Sequence, residues 1–170
     1  KFDAFNPAIS ADGRFVAFES NSTKLVAADT NNTSDIFLHD RLNGSTTRVS
    51  VDATGQEGDR PSLNPSISAD GRFVAFESNS TNLVPGDTNN NSDIFIRNIE
   101  TNTTTRVSVN STGNQGNIGS FNPSISANGR WVVFDSLADN LVAGDTNSTR
   151  DIFLHEIPTN TTTRVSVNSS

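Results

Sequence analysis

One block of sequence occurs three times in this 170-residue chain, each copy offset by 58 residues, and no insertion breaks the register. Asn6-Pro7, Asn64-Pro65 and Asn122-Pro123 open the copies. Ala11-Asp12-Gly13-Arg14, Ala69-Asp70-Gly71-Arg72 and Ala127-Asn128-Gly129-Arg130 follow. Asp29-Thr30-Asn31, Asp87-Thr88-Asn89 and Asp145-Thr146-Asn147 come next, and Arg48-Val49-Ser50-Val51, Arg106-Val107-Ser108-Val109 and Arg164-Val165-Ser166-Val167 close the copies. A fixed period of this length marks one supersecondary unit stacked on copies of itself. Residues 1–58, 59–116 and 117–170 are then units of one continuous array, each needing a neighbour to bury its apolar faces. Function on such an array belongs to the stack and its loops.

The middle copy reads as four strands. Asn64 to Ser68 is short and extended, with Pro65 suited to a strand start because it lacks an N–H. Ala69-Asp70-Gly71 is a hairpin turn. Arg72 to Ser78 carries apolar residues on both faces, Phe73 and Ala75 against Val74 and Phe76, so both sides are covered. A polar stretch from Asn79 to Ser92 holds one apolar pair, Leu83-Val84, expected to tuck under the loop. Asp93 to Arg97 is the third strand and Thr103 to Val109 the fourth, rich in β-branched residues. No segment has a helical period. Three antiparallel four-stranded meanders with two buried faces each predict an all-β chain of β-propeller blades rather than a solenoid or a string of sandwiches.

Apolar residues make up only 32% of the chain, so 11 Phe and Trp131 must carry the core while Ser, Thr and Asn fill the turns. Net charge is −7 and Lys1 and Lys24 are the only lysines. Such a surface repels nucleic acid and anionic lipid, so neither is an expected partner. No apolar run reaches the length of a membrane span, so membrane insertion is not expected. The chain lacks Met, which reads as a processed product or a fragment that has lost its start. With no Cys there is neither a disulfide framework nor a thiolate metal site.

The run from Asn64-Pro65 through Ile67-Ser68-Ala69-Asp70-Gly71-Arg72-Phe73-Val74-Ala75-Phe76, then Ser92-Asp93-Ile94-Phe95, then Thr104-Thr105-Arg106-Val107-Ser108, resembles the TolB-type, WD-like propeller blade. The resemblance covers all three copies. It implies the propeller fold, an interaction platform or an accessory domain of a peptidase or large secreted protein, and an extracytoplasmic setting: extracellular, cell-surface or periplasmic. The chain departs from the pattern in its longer loop between second and third strands.

Propellers use four or more blades, so three leave two blade faces bare. Every copy is complete, and closure by strands shared between the ends is absent. The last copy's face should therefore fit the first copy's face of another molecule, head to tail. The expected outcomes are a six-bladed ring from two chains, an open filament, or a part of a longer propeller. The chain itself is the expected partner; a protein or glycan ligand with one shallow site per blade is the alternative. Trp131 stands at a core-like position, where copies one and two have Phe15 and Phe73, which argues against the glycan site.

The long loop places oxygen side chains at alternate positions: Asp29, Asn31, Thr33 and Asp35; Asp87, Asn89, Asn91 and Asp93; Asp145, Asn147, Thr149 and Asp151. Calcium takes six to eight oxygen ligands, and loops of this spacing curl several around one ion. The competing reading is that Asp and Asn cap their own turns. Catalytic chemistry is not expected. His39 and His155 are isolated, one per copy, and read as structural surface residues. Glu19, Glu77 and Asp135 either line a hub or pair with Arg14, Arg72 and Arg130. No nucleophile elbow or phosphate-cradling loop occurs. Eleven Asn-x-Ser/Thr sequons (Asn21, Asn31, Asn32, Asn43, Asn79, Asn90, Asn102, Asn110, Asn147, Asn160 and Asn168) mark either glycan sites of a secreted protein or turn and edge residues.

Overall fold

The computed structural model describes residues 3 to 168, and strands are the only regular elements among them. The first sheet holds β1 (Ala4–Ile9), β2 (Phe15–Ser20), β3 (Asp35–Asp40) and β4 (Ser45–Arg48); the second holds β5 (Ser62–Ile67), β6 (Phe73–Ser78), β7 (Asp93–Asn98) and β8 (Thr103–Arg106). The third holds β9 (Ser120–Ile125), β10 (Trp131–Ser136), β11 (Asp151–Glu156) and β12 (Thr161–Arg164). Each sheet is an antiparallel meander in sequence order, so each copy of the repeat is one propeller blade.

The register follows from the apolar alternation. Phe18 pairs with Phe37, Phe76 with Phe95 and Phe134 with Phe153. Their rings stack with centroids 5.9, 5.8 and 5.9 Å apart, one aromatic pair per blade. The fourth strand is shorter than the sequence predicts. Its ladder ends at Arg106, because Ser108 then uses its hydroxyl to accept the Ile94 N–H at 3.1 Å.

Pro65 lies inside β5 and not at its start. The pairing of β5 with β6 slips between Leu63 and Ser66, and Asn64 sits at φ 53° beside the proline. Asn6 and Asn122 repeat this at φ 50° and 53°. A proline is tolerated within a strand where a bulge removes the need for its N–H.

Two cores lie between blades. Ala17, Ile36, Leu38 and Val49 of the first blade meet Val74, Phe76, Leu83 and Phe95 of the second. Ala75, Ile94, Ile96 and Val107 of the second meet Ile125, Val132, Phe134, Leu141 and Phe153 of the third. Of the Leu83-Val84 pair expected to tuck under the loop, Leu83 is nearly fully buried and Val84 partly so; Leu141, the counterpart of Leu83 in the third blade, is buried too. Backbone bonds repeat across both seams: Ala11 N–H donates to Ala69 O and Ala69 N–H to Ala127 O, each at 2.9 Å. Ser62 and Ser120 N–H likewise donate to Ser34 O and Ser92 O at 2.8 Å.

Candidate functional site

Two kinds of site recur by blade: the outer faces of the arc and the Asp-bearing loops. On the first blade, Ile9, Val16, Phe18 and Leu25 occupy positions whose counterparts in the other blades are packed at a seam. Ile9 is 59% exposed, whereas Ile125 is 9% exposed. On the third blade, Val133, Ile152, Leu154 and Val165 match residues that are buried in the first two. Ile152 and Val165 are 39% and 47% exposed, against 0% for Ile94 and 1% for Val107. An almost wholly apolar hollow of about 320 Å³ opens on the first face between Phe5, Pro7, Val16 and Phe18. Both ends thus present seam surface to solvent.

In the loops, three of the four alternate residues converge. Asn31 Oδ1 accepts the Thr33 N–H at 3.0 Å, and Asn31 Nδ2 donates to Asp35 Oδ2 at 3.0 Å and to Gly58 O at 2.9 Å. Asp35 Oδ1 accepts the Ser50 hydroxyl at 2.5 Å. The second blade repeats this with Asn89, Asn91, Asp93, Ser108 and Gly116. The third does so with Asn147, Thr149, Asp151 and Ser166. At the third position Thr33, Asn91 and Thr149 turn a backbone N–H inward to the asparagine.

The group that sequence reasoning missed is the arginine ending the fourth strand. Arg48 lies 3.8 Å from Asp29 and 3.6 Å from Asp35. Arg106 lies 3.1 Å from Asp87 and 3.4 Å from Asp93, and Arg164 2.8 Å from Asp145 and 3.1 Å from Asp151. One guanidinium therefore sits between the first and last Asp of each loop, as a fork suited to two carboxylates. The signal was present in the invariant Arg-Val-Ser-Val, whose Arg and Ser both serve the loop.

The first loop differs from the second in one acid. Glu57 pairs with Arg48 and accepts the Thr30 N–H at 3.1 Å, and its carboxylate lies with those of Asp29 and Asp35 within 4.8 Å. Gln115 takes the equivalent place in the second blade, donating to Thr88 Oγ1 at 2.7 Å. Asp29 Oδ1 and its counterpart Asp87 Oδ1 are both buried with no hydrogen-bond partner. Burial pushes Asp29 and Asp35 up despite Arg48, and pushes Asp93 up despite Ser108. In the third blade the Ser166 hydroxyl holds Asp151 below the ordinary range.

Glu19, Glu77 and Asp135 do not pair with Arg14, Arg72 and Arg130. Each accepts instead from the inner-strand asparagine of its own blade: Asn6 at 3.1 Å, Asn64 at 3.2 Å and Asn122 at 2.8 Å. The arginines take Asp40, Glu100 and Glu156. His155 is a buried residue, not a surface one. Its Nδ1 lies 2.9 Å from Thr162 Oγ1, which itself donates to Val109 O of the neighbouring blade, and burial lowers its pKa to about 4.

No family model and no curated protein matches the chain. Solved structures do. TolB from Acinetobacter baumannii superposes with a TM-score of 0.58 at 20% identity, covering 99% of this chain and 33% of that one. A putative TolB from Agrobacterium tumefaciens gives 0.60 at 18% identity, covering 95% and 48%. The β-propeller domain of the Trilobed protease from Pyrococcus furiosus, described as an open velcro topology, gives 0.59 at 13% identity, covering 95% and 41%. The chain therefore spans a third to a half of these three structures. Identities this low carry the fold alone, and the fold is the one the blade motif implied: three consecutive blades of a β-propeller.

Proposed function

We propose that the chain is a non-catalytic, extracytoplasmic scaffold module that self-associates head to tail through its two outer blade faces. The observation that carries this reading is the reuse of seam residues. Positions buried at the seam between blades one and two, and again between two and three, recur with closely similar side chains at both open ends. A surface that already fits twice within the chain fits a third time between chains, and two arcs of three blades complete a six-bladed ring.

Light scattering on the 18.2-kDa chain tests this. A single species of twice that mass is expected for the ring, and a broad distribution of large masses for a filament. A monomer at millimolar concentration overturns the reading. Ile9→Asp and Val165→Asp alter residues already exposed, so each variant should fold. Each alone should give no ring; mixed, they should give one dimer joined through the two untouched faces. A symmetric face-to-face contact would not show that complementation.

A second reading concerns the first loop only. Three carboxylates there face one guanidinium. That surplus of negative charge favours a calcium ion bound by Asp29, Asp35 and Glu57. The second loop, with Gln115, lacks the surplus. Melting in millimolar calcium against chelator tests the reading; identical curves would sink it.

A further inference from the structure

We infer that the contact between copies is keyed by Trp131 of one copy seated on Gly13 of the next, with Arg41 of that second copy against the indole. This rests on the head-to-tail reading and specifies its register. At each internal seam an aromatic ring of one blade lies on a glycine of the following blade. A Cβ on Gly71 would stand 2.2 Å from Phe15 Cδ2, and a Cβ on Gly129 2.4 Å from Phe73 Cδ2. Both glycines have positive φ, at 73° and 68°, so the turn that forms the socket also excludes a side chain from it. The third ring in this series is Trp131, half-buried, with Arg130 over it at 5.5 Å just as Arg14 covers Phe15 at 4.6 Å. The first socket in the series is Gly13, at φ 70°; a Cβ there would meet only Arg41 Nη1 at 3.5 Å and Ile9 Cδ1 at 3.9 Å.

The end pair departs from the internal pairs at both partners. Internally the ring is Phe and the residue in the place of Arg41 is Ile: Ile99 packs against the same seam core as Phe15 and lines one hollow with it and Gly71, and Ile157 packs against the same core as Phe73. At the ends the ring is Trp and the residue over the socket is Arg41. An indole is the best aromatic partner for a guanidinium, so the two substitutions complement each other across the gap. The backbone series points the same way. Ala11 donates to Ala69 and Ala69 to Ala127, and the next step is Ala127 N–H of one copy to Ala11 O of another.

The test uses two features of the composition: no cysteine and a single tryptophan. Ala11→Cys with Ala127→Cys should form a disulfide between copies, because residues joined this way lie within the Cα separation a disulfide needs. Ala11→Cys with Ala69→Cys has the same geometry inside one chain and serves as control. Trp131 emission should shift to the blue as concentration rises, and Trp131→Ala should weaken association at least tenfold. If the control cross-links and light scattering gives the dimer, but the intermolecular disulfide is absent and the emission stays constant, the register is wrong while head-to-tail association stands. A monomer by light scattering at every concentration overturns both.

Discussion

The first and middle blades contain the same hexapeptide, Phe-Val-Ala-Phe-Glu-Ser, as β2 and as β6. In β6 every residue after Phe73 is buried; in β2 Val16 and Phe18 remain partly open. Identical side chains in identical local geometry thus differ in burial only because β6 has a blade on each side. What the comparison teaches is that a seam, not a blade, is the unit that stabilises this fold, as expected for a nearest-neighbour array. The same contrast appears in Ile94 against Ile152 and in the neighbourhoods of Asp93 and Asp151.

The largest expected effect sets Phe76→Ala against Phe18→Ala. Phe76 is fully enclosed, and its truncation should cost about 4 kcal/mol. Phe18 keeps its stack on Phe37 but lacks a blade on the other side, so its truncation should cost about 2 kcal/mol in dilute solution. Denaturant titration measures both. The gap should close as protein concentration rises if the outer faces meet. Equal costs at concentrations where the chain is monomeric would break the comparison.

The third blade differs from the middle one in its response to acid. His155 stands where the middle blade has Arg97. Arg97 is buried yet satisfied by Asp52 O and Thr104 Oγ1, both at 3.0 Å, and keeps its charge. His155 is buried neutral, with a folded pKa of about 4 against 6.5 for the free side chain. The unfolded chain therefore takes up a proton first, and stability falls as pH drops from 6.5 toward 4, by up to about 3 kcal/mol. The raised Asp35 and Asp93 act in the opposite sense, gaining protons more readily when folded. Comparing the chain with His155→Gln isolates the histidine: the variant should lose the acid-dependent fall. Parallel pH profiles would show that His155 carries none of it.

Much of this was legible in the sequence because the repeat reports each position three times. The central apolar strands follow from the repeated Phe and Val positions, and the anchor Leu83 from the lone Leu-Val pair of its loop. Side-chain partners were less legible. Pro65 reads as a strand start because nothing local marks the bulge that Asn64 makes at φ 53°. Glu77 reads as a hub-lining residue or an arginine partner because the register that hands it Asn64 depends on that bulge. Arg106 reads as part of a closing strand, since its contact with Asp87 and Asp93 spans up to 19 residues of loop and hairpin that local pattern does not place. His155 reads as exposed because its burial comes from the neighbouring blade, through Val109.

The smallest expected effect compares the first and middle loops. Glu57 and Gln115 are equivalent positions, and the acid is the one difference in charge between the two arginine-centred clusters. If the first loop holds calcium with a dissociation constant of about 1 mM, typical of extracellular sites, then 10 mM calcium stabilises by about 1.4 kcal/mol. That amounts to a rise of about 4 °C in Tm over the chelated protein. Glu57→Gln should abolish the rise by making the first loop resemble the middle one. Gln115→Glu should roughly double it, because Asp87, Asp93 and Arg106 already repeat the geometry of Asp29, Asp35 and Arg48. A rise that survives Glu57→Gln would place the ion elsewhere. A rise absent from the unmodified chain would leave the guanidinium as the cation of all three loops.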